Sequence, residues 1–300
     1  MNTADSRAAV VVGVDGSEQS YAAAIYALQE AESLGCSLLL VHAYRPVQND
    51  YWTEGSYIDL RHAGDHVLHE FADMLRREAA PATQITTMLC AGDPAGTLVQ
   101  MSHDSPCIVV GRRPAGWIQH AIVSSVSTRL SSVAWCPSVT IPHNCTDLAA
   151  SGPVAVVADS VAETPACLAY AAATAGRHGI GVVLTHAAPL GHHEWPSDDD
   201  ILRIAVAVES SRRAHPHTDF TTDVVREPID EAAERISEGS FALVVSQAGS
   251  PNLLGWRRSP VNAVLKKARC PVITVPSAKR AARTETSPTR EPHPFRFPRW

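Results

Sequence analysis

Polar residues follow two apolar runs of the chain, at places where a ligand could be held. Asp15 comes after the run at 9–14, and Arg112 and Arg113 follow the run at 108–110. Open α/β sheets bind ligands where their strands end, so a carboxylate could meet hydroxyl or amino groups there, and guanidinium groups could meet phosphates. Two other interpretations stay open: Asp15 could cap the following helix, and the arginines could be solvated surface charges.

Histidine and cysteine offer weaker candidates for chemistry. His42 lies in an apolar strand, which favours a hydrogen-bonded core histidine over a catalytic base. Four further histidines lack the spacing of a known metal site, so exposed loop residues are favoured over ligands; they are His192, His193, His215 and His217. The seven cysteines are scattered without a CxxC pair, which argues against a disulfide framework or a cysteine-rich zinc site and predicts small buried apolar residues.

Apolar runs and helical periodicity alternate along the first half of the chain. Strands are predicted at 9–14, 38–43, 85–89, 108–110 and 138–141. Helices are predicted at 18–34, around 67–75, at 94–103 and around 124–134, and Gly35 supplies a helix stop. Strands separated by helices pair in parallel, so the pattern predicts a three-layer α/β/α sandwich with an open parallel sheet of about five strands.

The second half repeats the first. At a constant offset of 144, eleven of the 35 residue pairs between 10–44 and 154–188 are identical, including Asp15 with Asp159. The two halves also end alike, in CPSVTIP at 136–142 and CPVITVP at 270–276. The sequence therefore predicts two tandem domains of the same fold.

The local composition of the chain predicts where its domains begin and end. We expect domains at 8–142 and 153–276, joined by a polar, turn-rich linker at 143–152. Residues 277–300 hold four prolines and six basic against two acidic residues, which predicts a disordered tail.

Charge and hydropathy narrow the class of protein. The net charge of -6 gives no argument for nucleic-acid binding, and no apolar run approaches the ~18 residues of a membrane span. The first residues do not read as a secretory signal, so a cytoplasmic location is expected. The chain contains no GxxxxGK[ST], GxSxG, HExxH or GxGxxG motif, which argues against the common classes of nucleotide hydrolase, esterase, metalloprotease and dehydrogenase.

Several segments together resemble the universal stress protein family. In the first half they are VVGVDGSEQS, VHAY, AGDPAG, VVGRR, SSVSTRL and CPSVTIP, and in the second half, more weakly, VVADS, LTHAA, REPID and CPVITVP. The resemblance implies a flavodoxin-like or Rossmann-like sheet in each domain. It also implies that nucleotide, where bound, lies at the carboxyl ends of the strands.

ATP-binding members of that family carry a Gly, two residues, a Gly, nine residues, then Gly-Ser or Gly-Thr. Here Gly111 matches the first glycine and Ser125 the hydroxyl, but Pro114 and Ser124 replace the other two glycines. In the second half only one of the four positions matches, so that half resembles a degenerate site; the positions are Ser246, Gly249, Ser259 and Pro260. The resemblance thus assigns nucleotide binding to Asp15, Ala43, Gly111, Arg113, Gly116, Ser125 and Ser127.

The implied function is a stress-response regulatory protein that binds adenine nucleotide, ATP with or without Mg²⁺, in its first domain. The implied partners are a regulatory protein and a second copy of the chain, or instead the two domains paired with each other through SVTIP and VITVP. We expect no enzyme activity beyond very slow ATP hydrolysis, because no water-activating base, metal-ligand cluster or phosphate-loop lysine is evident. A nucleotide-free scaffold with a decayed site, and an adenine-nucleotide-dependent enzyme, remain the alternatives.

Overall fold

A computed structural model describes most of the chain outside its two ends. The described residues are 8–45, 54–114, 126–145, 148, 151–158, 160–187, 197–247 and 260–277. The proposed tail therefore lies outside them, except for its first residue. Within the described residues, no helix combines the length and the apolar character needed to cross a membrane.

The first half alternates strands and helices as its sequence predicts. Its elements are β1 (Ala9–Gly13), α1 (Glu18–Leu34), β2 (Ser37–Tyr44), α2 (Glu54–Glu78), β3 (Ile85–Ala91), α3 (Pro94–Met101), β4 (Ile108–Gly111), α4 (Val126–Val133) and β5 (Ser138–Ile141). The five strands pair only in parallel with one another, in the order β3-β2-β1-β4-β5.

The second half repeats this arrangement. Its elements are β6 (Val154–Ala158), α5 (Thr164–His178), β7 (Val182–Ala187), α6 (Asp198–Ala214), β8 (Phe220–Val225), α7 (Ile229–Ser237), β9 (Ala242–Ser246), α8 (Pro260–Lys267) and β10 (Val272–Val275). The parallel order β10-β9-β6-β7-β8 mirrors that of the first half. The predicted α/β class, with about five parallel strands in each of two tandem domains, is confirmed.

Strands β5 and β10 join the two half-sheets into one ten-stranded sheet. They pair antiparallel, with Val139 opposite Ile273 at the centre of the contact. These two residues occupy equivalent positions in the repeated CPSVTIP and CPVITVP segments, so the junction has approximate twofold symmetry. The pairing of the two final strands therefore occurs within the chain. The strands of the two halves run in opposite directions. The carboxyl ends of the strands in one half therefore lie on the same side of the sheet as the amino ends of the strands in the other half.

Helices cover both faces of the sheet. Helices α1, α2, α5 and α6 pack on one face, where a single apolar core runs across both halves. On the other face, α3 and α4 cover the first half and α7 and α8 the second, over two separate cores. Five of the seven cysteines are buried and two are partly buried, in agreement with their prediction as small apolar residues.

The ends of helix α1 explain how the loop after β1 is built. Gly35 ends the helix in the left-handed conformation, with φ of 63°, as its position after Leu34 predicted. The N-cap is Ser17, whose side chain accepts a hydrogen bond from the Ser20 amide. The alternative that Asp15 itself caps α1 is therefore wrong, because Asp15 lies two residues too early and instead binds the capping serine.

Candidate functional site

Asp15 stands at the carboxyl end of β1 and is held by the loop that leads into α1. Its Oδ1 accepts a hydrogen bond from the Ser17 amide at 3.1 Å and a second from the Ser17 hydroxyl. The side chain nevertheless remains 47% exposed, so a ligand at this edge of the sheet could still reach the carboxylate.

Arg113 approaches the same carboxylate from the loop after β4. Its guanidinium forms an ion pair with Asp15 Oδ2, and the arginine side chain is 32% exposed. Burial acts to raise the pKa of Asp15, but the hydrogen bonds from Ser17 and the charge of Arg113 outweigh it, so the pKa lies below its usual value. The site therefore presents an ionised carboxylate beside a guanidinium group.

The end of β2 contributes His42 and Ala43, whose side chains point to opposite faces of the sheet. The Nδ1 of His42 lies 2.9 Å from the carbonyl oxygen of Val14, and α2 packs closely on its ring at Gly64. The predicted hydrogen bond of His42 is therefore confirmed, and the residue is partly buried. Ala43 is partly buried and packs against the core beneath α3 and α4.

Gly111 is needed where β4 passes the first turn of α1. A Cβ built on Gly111 would lie 2.3 Å from the carbonyl oxygen of Gln19 and 2.8 Å from the amide nitrogen of Ser20. The missing side chain therefore allows a backbone contact between the sheet and α1. This packing reason differs from the phosphate approach that the sequence motif implies.

A second ionic cluster lies further along the same edge, around Asp93. This residue follows β3 and caps α3 by accepting a hydrogen bond from the Gly96 amide. It also pairs with Arg45, after β2, and with Arg129 of α4 at 2.5 Å. Burial tends to raise the pKa of Asp93, yet the hydrogen bonds from Arg45 and Gly96 and the two positive charges lower it overall. The cluster ties the ends of β2 and β3 to α4.

Arg112 turns away from Asp15 and towards the second half of the chain. Its Nη1 donates to the Ser127 hydroxyl at 3.2 Å and to the Thr128 hydroxyl at 3.4 Å. Its Nη2 donates to Oδ1 of Asn262, in α8, at 3.3 Å. Neighbouring arginines in the sequence thus serve two different places in the structure.

The structure brings only part of the predicted site into contact. Asp15 and Arg113 pair directly, whereas Ser127 contacts Arg112 at the junction of the halves. Gly116 and Ser125, together with Ser124, lie outside the described residues, as do Asp159, Gly249, Ser259, His192 and His193. Of the other histidines, His215 is partly buried at the end of α6 and His217 is exposed. The described residues contain no group of three or more potential metal ligands.

Sequence reasoning missed Arg45, Asp93, Arg129 and Asn262. The Asp-Pro pair at 93–94 carried a usable signal, because Asp before a proline at the first helical turn is a common helix start. The sequence carried no signal for Asn262, because its contact with Arg112 depends on how β5 and β10 pair.

Comparison with known proteins agrees with this architecture. The sequence model of the universal stress protein family matches residues 7–142. A universal stress protein of Mycobacterium tuberculosis is 30% identical over 142 residues, 47% of this chain and 47% of its own length. The chain thus matches about half of that relative. Another, from Mycobacterium bovis, is 27% identical over 293 residues, covering 88% of this chain and 95% of the relative.

A solved structure shares the fold over most of the chain. The crystal structure of a universal stress protein from Archaeoglobus fulgidus superposes with a TM-score of 0.72, at 16% sequence identity, covering 90% of this chain and 96% of that one. The match at 7–142 identifies the first half of the chain as a universal stress protein domain, and the Mycobacterium bovis relative extends the similarity to most of the chain.

Proposed function

We propose that this protein binds adenine nucleotide at the carboxyl edge of its first domain and acts as a regulatory protein rather than as an enzyme. The paired Asp15 and Arg113 carry the proposal. A carboxylate suits the amino group of adenine or a ribose hydroxyl, and a guanidinium suits a phosphate. Both side chains are partly exposed and stand at the strand ends, where open α/β sheets bind ligands.

ATP is the expected nucleotide, with or without Mg²⁺, and the affinity is expected to be modest. Pro114 removes one backbone N–H from the loop that would hold the phosphates. A hydrogen bond to a charged group contributes about 1.5–3 kcal/mol, so this loss weakens binding about 10- to 150-fold. Arg113 can offset part of the loss if it exchanges Asp15 for a phosphate.

The remaining parts of the proposal follow from the family and the repeat. We place domains at 8–142 and 153–276 with a linker at 143–152, and assign Ala43, Gly111, Gly116, Ser125 and Ser127 to the nucleotide site beside the ionic pair. The protein would work in the cytoplasm through a protein partner that senses the bound nucleotide. Hydrolysis of ATP would be very slow, and the second domain would not bind nucleotide because its glycine motif is degenerate.

Calorimetric titration with ATP, with and without Mg²⁺, tests the proposal. Asp15→Ala should weaken binding at least about 10-fold, because a hydrogen bond to the carboxylate is lost. Asp159→Ala, at the equivalent place in the repeat, and Asp73→Ala, an exposed ion-pair partner of Arg76, should leave binding unchanged. Equal losses at Asp15 and Asp159, or binding that ignores Asp15, would show that the site is wrongly assigned.

A nucleotide-free scaffold is the second candidate, and the Asp15–Arg113 pair also bears on it. In a scaffold, the ion pair would only stabilise the loops at the strand ends, and it would need no ligand. Titration distinguishes the two functions, since a scaffold would bind neither ATP nor adenosine at millimolar concentration.

A further inference from the structure

Helix α6 carries an apolar row on its outer surface, formed by Ile201, Leu202 and Val206. Ile201 is 46% exposed, and Leu202 and Val206 are each 61% exposed. In the part of the chain that the structure describes, the other exposed large hydrophobic residue is Tyr21, on α1. Single exposed apolar side chains are normal in proteins, but three on adjacent turns of one helix form a patch. Such a patch indicates an interaction surface.

The repeat shows that the fold does not require this apolar row. Helix α2 occupies the equivalent place in the first half, and both helices have a pair of arginines in the last turn. Aligning those arginines also matches buried residues, Leu68 with Ile204 and Ala72 with Val208. The three positions of the row then hold polar residues in α2, namely Asp65, His66 and Glu70. Packing on the sheet therefore does not explain the apolar residues of α6.

An open groove lies beside the apolar row, between α6 and β8. Its volume is about 430 Å³, and its surface is mainly apolar. Ala205 and Val208 of α6 line it on one side, and Thr222 and Val224 of β8 line it on the other. A protruding apolar side chain from a partner could therefore be buried here.

Addition of a further strand to β8 does not suit this place, although β8 is the last strand of the sheet in the described chain. The Val182 amide of β7 donates to the carbonyl oxygen of Asp219, so the carbonyl of the next residue, Phe220, faces the open edge. That carbonyl accepts a hydrogen bond from Nη2 of Arg212 at 2.9 Å. Because Arg212 occupies a main-chain group that an added strand would need, a partner is expected to contact α6 and the groove through side chains.

We propose that a second copy of the chain docks on this surface, with the two α6 helices packed antiparallel about a twofold axis. A twofold contact uses the same surface on both copies, so that surface must be complementary to itself. Here Leu202 and Val206 protrude, and the apolar groove lies beside them. The protruding side chains of each copy can thus enter the groove of the other.

The charges of α6 favour the antiparallel arrangement. The first turn is acidic and the last turn is basic, with Asp198, Asp199 and Asp200 at one end and Arg212 and Arg213 at the other. Asp198, Leu202 and Val206 lie on one side of the helix because they are four residues apart, and Arg213 lies two turns beyond Val206 on that side. An antiparallel crossing near Val206 sets the acidic end of each helix against the basic end of the other.

Apolar burial supplies most of the free energy of this contact. Arg213 already pairs with Glu209 of its own helix at 3.1 Å, and exposed ion pairs contribute little. Charge therefore sets the direction of the two helices, and the apolar row provides the affinity. The surface belongs to the second half, so the contact does not depend on nucleotide binding at Asp15.

Sedimentation velocity of the whole chain, without nucleotide, tests the proposal. Dimers should dissociate in the micromolar range, because one helix and one groove from each copy make a small interface. Leu202→His combined with Val206→Glu gives α6 the residues that α2 carries at these exposed positions. This variant should weaken the dimer at least about 10-fold, since each lost apolar contact occurs twice. A wild-type chain that stays monomeric at high micromolar concentration, or a dimer indifferent to this variant, would overturn the proposal.

Tyr21→Glu is the matched control for the apolar row. It also replaces an exposed hydrophobic side chain by a polar one, but on α1 of the first half. The dissociation constant of the dimer should not change. If Tyr21→Glu weakened the dimer as much as the double variant of α6, the contact would not be specific to α6 and the proposal would fail.

Charge reversal tests the antiparallel arrangement without altering the apolar row. Asp198 and Arg213 are both exposed. Asp198→Arg and Arg213→Glu should each weaken the dimer about 2- to 5-fold, because each places like charges opposite one another. The two changes together should restore the wild-type affinity, since opposite charges then face each other again. If the combined variant were weaker than either single variant, the helices would not pack antiparallel, which would contradict the proposal.

Discussion

Arg113 reaches across the edge of the sheet to form an ion pair with Asp15, so the loops after β4 and β1 are joined by charge. The strands that carry them, β1 and β4, are neighbours in the sheet. A phosphate that draws Arg113 away from Asp15 would break this pair, so the pair is a contact that we expect to change when nucleotide binds.

The pair predicts how stability depends on pH. The pKa of Asp15 is lower in the folded protein, so its stabilising effect is present above the ordinary aspartate pKa and is lost as pH falls through the folded value. Asp15→Asn should cost at most about 1 kcal/mol at pH 7, because the partners are substantially exposed, and almost nothing at pH 2. Urea unfolding at the two values measures this, and Asp73→Asn serves as an exposed control. If Asp15→Asn lowered the unfolding free energy equally at pH 7 and pH 2, the charge of Asp15 would not be the source of its stabilising effect.

Gly111→Ala should destabilise the first domain. The new methyl group would meet the backbone of α1 at Gln19 and Ser20, which cannot move without disturbing the helix start. Overpacking of this kind costs about 1–3 kcal/mol, measured as the change in unfolding free energy in urea.

Gly176→Ala is the matched control for that substitution. Gly176 lies in α5, and the nearest atoms to a Cβ built there are 3.9 Å away. Since alanine is favoured over glycine within helices by about 0.5–1 kcal/mol, this variant should gain stability. A loss similar to that of Gly111→Ala would show that the close contact with α1 is not the cause.

Glu30 and Arg177 form an ion pair between the halves, on the face opposite α4 and α8. Glu30 is 4% exposed, the Arg177 side chain is 23% exposed, and their atoms lie 2.7 Å apart. Burial raises the pKa of Glu30 more than Arg177 lowers it. Arg177→Met leaves a buried carboxylate without this partner, so it should cost about 3 kcal/mol at pH 7.

Two measurements test whether the cost of Arg177→Met comes from the unpaired charge of Glu30: the pH dependence of stability and the stability of a double variant. A raised carboxyl pKa makes the folded state bind its proton more readily, so the deficit of Arg177→Met should shrink as pH falls from 7 towards 5. Glu30→Gln combined with Arg177→Met should recover most of the lost stability, because no charge then remains buried. Simple additivity of the two single variants in unfolding free energy would show that the pair is not coupled.

A fragment of residues 1–150 should associate with itself. Without β10, the buried strand β5 becomes a sheet edge, and Val139 loses its pairing with Ile273. Light scattering after gel filtration should show a dimer of the fragment, and Val139→Lys should shift it to monomer, since burying that charge is costly. A monomeric fragment with an intact fold would show that the final strands have no tendency to pair.

The sequence predicted the fold well because each element carries a local signal. Helix α1 begins at Glu18 and ends at Leu34 where the apolar period and Gly35 placed it, and β5 spans the predicted 138–141. The repeat then extended the same architecture to the second half. These features depend on backbone propensity and side-chain period, which can be read from neighbouring residues.

The candidate site was less predictable because its contacts join residues far apart in the chain. Arg112 and Arg113 look alike in sequence, yet one pairs with Asp15 and the other with Asn262. Gly111 was predicted for phosphate approach, but its close neighbour is α1. The different partners of Gly111, Arg112 and Arg113 follow from the strand order and from the alternation of side chains between the two faces of the sheet.

The joining of β5 to β10 within one chain also removes a constraint that a homodimer must obey. In a dimer of identical subunits every substitution appears twice, once on each side of the symmetry axis. Here each change is made once. Glu30 pairs with Arg177, while Thr174 occupies the position equivalent to Glu30 in the second half. Ser33, at the position equivalent to Arg177, accepts a hydrogen bond from the Nε of Arg177. Covalent linkage thus allows the two halves of one sheet to carry different residues at equivalent positions.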